Sequence, residues 1–294
     1  MLVAALLAGA WLVTAPTPAS TRLGAGALER PGDPARGKLV FAAGDCASCH
    51  ASPGQPDRLH LGGGQALASP FGTFRVPNIS PDPRDGIGAW QTKDLANALL
   101  SGVSPDGSHY YPAFPYTSFA HMSVEDVVDL MAYLKTLPPV SGKAPPHELN
   151  PLFRIRRFVG LWKLLYFDQS PIKPDAGHDD EWNRGRYLVE SIGHCAECHS
   201  SRGLFGGIED STRFAGGVDP EGTGYDPNIT LQHIANWSKD QIVTMLRTGQ
   251  TPNGMRVGSS MSEVVTNIAM LPESDQRAIA TYIKSLPARR TPHP

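Results

Sequence analysis

The strings CASCH at residues 46–50 and CAECH at residues 195–199 contain all four cysteines of this 294-residue chain. In each string two residues separate the thiols, and a histidine, His50 or His199, follows directly. Thiols so spaced fall on one face of a short helix, where each adds its sulfur and hydrogen across one vinyl group of a porphyrin. The adjacent imidazole then lies under the iron. The spacing therefore predicts two covalently attached c-type haems, one on Cys46 and Cys49 and one on Cys195 and Cys198, with His50 and His199 as proximal ligands. A four-thiolate zinc site would give the histidines no role and would want the pairs closer in sequence. A redox C-x-x-C would want a β-α-β neighbourhood, and no strand-rich region is evident.

Outward from the two strings the chain repeats itself. Each is preceded by a short segment with an Arg-Gly entry and apolar residues at helical spacing, ARGKLVFAAGDC from Ala35 and NRGRYLVESIGHC from Asn183. Gly-rich loops follow, then VPNISP from Val76 and DPNITL from Asp226. Trp90 and Trp237 open amphipathic segments that stop at Gly102 and Gly249, with Pro105-Asp106-Gly107 and Pro252-Asn253-Gly254 at the same offset. Each unit closes on a helix ending in AYLKTLP (from Ala132) or TYIKSLP (from Thr281). Ser123, followed by Glu125 and Asp126, is a helix N-cap with acids in the first turn. The expected organisation is all-α, with units at residues 34–140 and 181–288 joined by a linker at 141–180 that holds a helical segment.

Composition agrees with this layout. Only 18% of residues are charged and 40% are hydrophobic, while Gly and Pro number 30 and 27. A unit of about a hundred residues with so few apolar side chains struggles to bury a core. A porphyrin supplies the missing apolar centre, with loops wrapped around it. The net charge of −2 gives no basic surplus for phosphates and excludes nucleic acid as a partner. Residues 1–15 form an apolar run followed by PTPAS, so residues 1–19 read as a signal peptide with Ala19 at its end, or as a short N-terminal anchor. In the linker, Phe153 to Phe167 is apolar and basic; it reads as a helix docking the two units, with a membrane-surface helix as the other reading.

The sixth iron ligand decides the chemistry, because a filled position makes an electron carrier and an open one makes a binding or catalytic site. In the second unit Met261 is the expected ligand and Met255 the reserve, since soft thioether sulfur favours Fe(II). In the first unit the register set by the tryptophans puts Phe114 opposite Met261. The candidates there are Met122, His121 and His109, with Met122 taken first, His109 next and an open position as the remaining reading, although counting back from the matched Tyr133 and Tyr282 gives Leu271 as the counterpart of Met122. The paired Asn78 and Asn228 either donate toward haem propionates or make turns. The paired tyrosines either approach the porphyrin or join helices.

The strings AGDCASCH, PNISPDPRDGIGAW, HYYPAFPYTSFAHMSVEDVVDLMAYLKTLPPV and NRGRYLVESIGHCAECHS resemble the multi-haem cytochrome c subunits of membrane-associated bacterial dehydrogenases, over nearly all of residues 35 to 287. The resemblance implies two tandem class I cytochrome c-like domains, with haem c as cofactor and no catalysis on this chain. It also implies a periplasmic location, a dehydrogenase as electron donor and a respiratory acceptor, with peripheral membrane association through the N-terminus or the partner complex. Family members often carry three haems where this chain has two motifs, and some carry Met where Phe114 stands. The competing reading is a di-haem enzyme of the thiosulfate dehydrogenase or peroxidase type, with one catalytic iron.

Overall fold

The computed structural model describes residues 9, 11–220 and 224–292. Short helices dominate, and the two halves place them alike. In the first half an entry helix, Pro34–Ala43, leads to the short helix Cys46–His50, a helix Thr92–Ser101 and a closing helix Val124–Leu134. In the second half the corresponding elements are Asp180–Tyr187, Cys195–Glu197, Lys239–Thr248 and Glu273–Ile283. Ser123 caps the first closing helix by accepting from the Asp126 amide.

Entry and closing helices cross in contact, and one glycine in each half makes the approach feasible. A Cβ on Gly37 would sit 1.9 Å from the Asp129 carbonyl oxygen, and one on Gly185 would sit 2.0 Å from that of Ala278. No side chain fits such a gap. The arginine before each glycine ties the same crossing: Arg36 pairs with Asp129 at 3.0 Å, and Arg184 with Asp275 at 2.8 Å. Tyr133 packs edge-on against Phe41, and Tyr282 against Trp182, so both matched tyrosines join a closing helix to its entry helix. Lys135 and Lys284 donate to the carbonyls of Ile87 and of Ile234 and Ala235, pinning each closing helix to the stretch just before the helix that starts at Thr92 or Lys239.

Helix is not the whole fold, which departs from the all-α expectation. Ala66–Ser69 and Gly72–Arg75 form an antiparallel hairpin with Leu67 opposite Phe74, and Glu148–Leu149 of the linker adds a third strand at Gly72 and Thr73. A two-stranded ribbon pairs Gly217–Val218 with Tyr225–Asp226. The third strand comes from more than seventy residues downstream, and such pairing leaves no mark in local periodicity.

The core is shared. One cluster of buried apolar side chains runs through both halves, from Val40, Phe41 and Leu99 to Val189, Ile192 and Ile279, and a small second cluster joins Phe74 and Tyr111 to Leu149 and Val159 of the linker. Of the expected leader, residues 1–8 and 10 lie outside the described residues. Ala19 is buried, and Ser20 donates its amide to Asn97. Among the described residues no helix is long and apolar enough to cross a membrane.

Candidate haem sites

Both attachment motifs are set by the same local geometry. The residue before each first cysteine is in the left-handed region, Asp45 at φ 51° and His194 at φ 38°, which turns the chain sharply from the entry helix into the motif. None of the four cysteines is in a disulfide. Burial first, then the Asp45 and Cys49 charges, push the Cys46 thiol up to about 12; burial raises Cys195 to about 12 and raises Cys198 as well. Thiols held neutral are poor redox nucleophiles. Among the described residues no three His, Cys, Asp or Glu side chains converge to hold a metal ion, so the two cysteine pairs do not make a joint zinc site.

The imidazoles are oriented identically. His50 Nδ1 lies 2.8 Å from the Pro77 carbonyl oxygen, and His199 Nδ1 lies 2.7 Å from that of Pro227. A carbonyl can only accept, so Nδ1 carries the proton in both rings and Nε2 keeps its lone pair. Burial lowers His50 to about 4 and lowers His199 too, holding each ring in the neutral form that ligates a metal. Donation from Nδ1 to a backbone carbonyl is the usual device that fixes a ligating histidine's tautomer and ring plane. The donor set fits haem c: two thiols and one oriented Nε2, twice.

The Pro-Asn loops supply those carbonyls and are braced for the purpose. The amides of Gly63 and Gly216 donate to the His50 and His199 carbonyls, each at 2.9 Å. Both glycines have positive φ; a Cβ on Gly63 would collide with the Pro77 backbone, and one on Gly216 with the Asp226 carbonyl oxygen and the Asn228 nitrogen. Asn78 accepts from the Ser80 amide and donates to Val140 and Gly142 carbonyls; Asn228 accepts from Thr230 and donates to the Arg289 carbonyl. Their amides thus tie the loop to the chain beyond the closing helix, and of the two sequence readings this is the turn and not the propionate donor. No composition or motif argument singles out Gly63 and Gly216; their shared hydrogen bond to the histidine carbonyl appears only in three dimensions.

The distal candidates separate. Met261 opens a helix, Met261–Ile268, where the sequence suggested a loop, and it packs half-buried on the shared core. Met255 is 62% exposed. Met122 is buried in the core at the position matched by buried Leu271, and Phe114 packs among Tyr110, Tyr116 and Phe119. His121 Nδ1 is 2.6 Å from the Ser170 carbonyl, and His109 Nε2 is 2.9 Å from that of Thr14, so each histidine has a ring nitrogen committed to backbone outside its own loop.

The two motifs also meet across a pseudo-two-fold. Ser48 of the first motif bonds Asn267 of the second half at 3.2 Å, and Glu197 of the second motif accepts from Ser118 of the first half at 3.0 Å. These are matched residues with roles exchanged, as at an isologous interface. Asp45 also bonds Asn267, Thr117 bonds Glu197 at 2.6 Å, and His194 Nε2 lies 3.3 Å from the Gly44 carbonyl. The attachment motifs therefore border each other, each against the segment of the other half that carries Met261 or follows Phe114.

A family model described as "Cytochrome c" matches residues 34–138. Along 284 residues the chain is 48% identical to a "Diheme cytochrome c-type" protein of Cereibacter sphaeroides, covering 96% of this chain and 94% of that one. It is 39% identical to a nicotinate dehydrogenase subunit of Pseudomonas putida and 36% identical to the fructose dehydrogenase cytochrome subunit of Gluconobacter japonicus. It covers 85% and 94% of itself in those matches, but only 21% and 55% of the two relatives.

Proposed function

The chain belongs to the cytochrome c family, with dehydrogenase cytochrome subunits among its relatives, and from that premise we propose a periplasmic di-haem carrier that passes single electrons from a dehydrogenase to a respiratory acceptor. Residues 34–140 and 181–288 are read as its two tandem cytochrome c domains and 141–180 as their linker. Bound haem supplies a one-electron Fe(III)/Fe(II) couple at each site. Cys46 and Cys49, and Cys195 and Cys198, would hold the two porphyrins. His50 and His199 would give Nε2 to the irons, while Pro77 and Pro227 keep Nδ1 protonated and the rings fixed. Met261 and Met122 are the proposed distal ligands.

The observation that carries this reading is the doubled histidine–carbonyl geometry, because the same ligand-orienting device stands behind both C-x-x-C-H strings. A carrier needs only that each iron keep its ligands in both oxidation states, and the rigid, braced Pro-Asn loops suit that demand. The test is spectroscopic. The purified protein should carry two haems that survive acid-acetone extraction, and its ferric form should show the sulfur-to-iron charge-transfer band. Met261→Leu should abolish that band for the second haem and lower its potential, and Met122→Leu should do the same for the first. A high-spin ferric haem in the unaltered protein, with turnover of peroxide or thiosulfate, would replace the carrier with an enzyme.

A further inference from the structure

The helix Met261–Ile268 is gripped on two faces by different halves of the molecule. Met261, Val264, Val265 and Ile268 recur at helical spacing as one apolar stripe. Val265 and Ile268 are buried, and Met261 and Val264 pack on the shared core. Glu263 and Asn267, four residues apart, make a second face that reaches into the first half. Glu263 accepts from the Arg58 guanidinium at 2.6 Å. Asn267, buried, donates to the Asp45 carboxylate and to Ser48 Oγ, the latter at 3.2 Å.

The receiving residues form one network around the first C-x-x-C-H string. Ser48 lies inside the string and donates to Asp45, the left-handed residue before Cys46, at 2.5 Å; Arg58 donates to Ser48 at 3.4 Å. The chain that enters the helix is exposed at residues 252–256, and Gly254 and Gly258 have open space where a Cβ would stand. Burial on that side does not fix where Met261 points. An apolar stripe alone lets a helix roll by small amounts, whereas directional bonds on a second face set its rotation.

We propose that Asn267, Glu263 and Arg58 are positioning residues for the distal ligand of the second haem, so that the first attachment motif sets how firmly Met261 holds the second iron. The inference rests on the reading of Met261 as that ligand. With the grip in place the thioether stays within reach of the iron in both oxidation states; without it, an outside ligand displaces Met261 more readily. The dependence runs between the halves. Because the first half lacks its apolar centre until haem is attached, Met261 reaches its final position only in a chain whose first half is loaded.

The full-length ferric holoprotein is titrated with imidazole, which displaces a thioether from iron, while the sulfur-to-iron charge-transfer band is followed. The part of the band missing in Met261→Leu reports the second haem. Asn267→Ala should raise the imidazole affinity of that part about tenfold, the worth of one hydrogen bond to a charged group, and leave the rest of the titration unchanged. Arg58 and Glu263 have side chains 39% and 40% exposed, so charge reversal there keeps the fold. Arg58→Glu and Glu263→Arg should each raise the affinity about threefold, and the exchanged pair should return it toward the starting value. Cys46→Ser/Cys49→Ser should raise it at least as much as Asn267→Ala. Unchanged affinity in Asn267→Ala or in the chain without the first haem, reversals that the exchanged pair does not repair, or a rise shared equally by both haems overturns the inference and leaves Met261 as ligand. A band that survives intact in Met261→Leu removes the ligand assignment, and the inference with it.

Discussion

The entry helices of the two halves differ by one residue, and the second absorbs it as a single π turn, Leu188–Ile192, where the first runs as α-helix to Ala43. Everything that positions a proposed haem-binding side chain survives the insertion: the glycine crossing, the left-handed residue before the first cysteine, the histidine–carbonyl bond and the Asn brace. What changes is local chemistry. Glu190, in the π turn, pairs with Arg213 and accepts from the Tyr282 hydroxyl, whereas the first half has Ala42 and Ala43 in that stretch. The insertion therefore alters an ion pair and leaves the ligand frame alone. π turns are a common way for a helix to take in one residue without losing its far end.

The comparison can be broken most directly by emptying one half. Cys195→Ser/Cys198→Ser should halve the covalent haem per chain and loosen the second half, which loses its apolar centre, while the first haem's spectrum persists. Pyridine haemochrome titration against protein mass reads this. Because the core is shared, the melting temperature of the remaining half should fall as well; an unchanged melt would mean that the halves are energetically independent.

A smaller effect is expected from the crossings. Gly37→Ala and Gly185→Ala each force a methyl group into a gap of about two ångströms from a backbone oxygen. The helices must part, at a cost of about 3 kcal/mol, measured as the shift of the urea midpoint. If the halves are equivalent here, the two variants should lose similar amounts. A much milder Gly185→Ala would show that the π turn relieves the second crossing.

An effect that depends on pH concerns the linker, whose Lys163 donates to the Ser101 and Gly102 carbonyls of the first half. Burial lowers Lys163 from 10.5 to about 7. Between those values the unfolded chain binds a proton that the folded one does not, so stability should rise as pH increases from about 7 toward 10 and be flat below. Thermal melts of the protein and of Lys163→Met should diverge over this window, the variant showing no such rise. Parallel curves would mean that the bonds to Ser101 and Gly102 hold the ammonium charged throughout.

Much of the site was legible because haem attachment imposes local spacing. CASCH and CAECH name six residues by themselves, and the repeat can be read from Trp90 and Trp237, Gly102 and Gly249, and the YLK and YIK tags. The Arg-Gly entries were visible as a pattern, but their reason was not: Gly37 matters for a carbonyl ninety-two residues away. Met261 was read as lying in a loop because TPNGMRVGSSMSEVV carries turn residues up to Ser260, and the helix it opens is held by the shared core and by Asn267 bonding to the first half.

By itself, then, the sequence determined the number and identity of the proposed attachment residues, the repeat and the dominance of short helices, since each depends on contacts within a few residues or on exact duplication. Tertiary structure decided the rest. It set the π turn's harmlessness, the third strand from the linker, and the exchange of Ser48–Asn267 and Glu197–Ser118 across the pseudo-two-fold. Each of these depends on which distant surface a segment meets, and hydrophobic periodicity records that a face is apolar without recording what covers it.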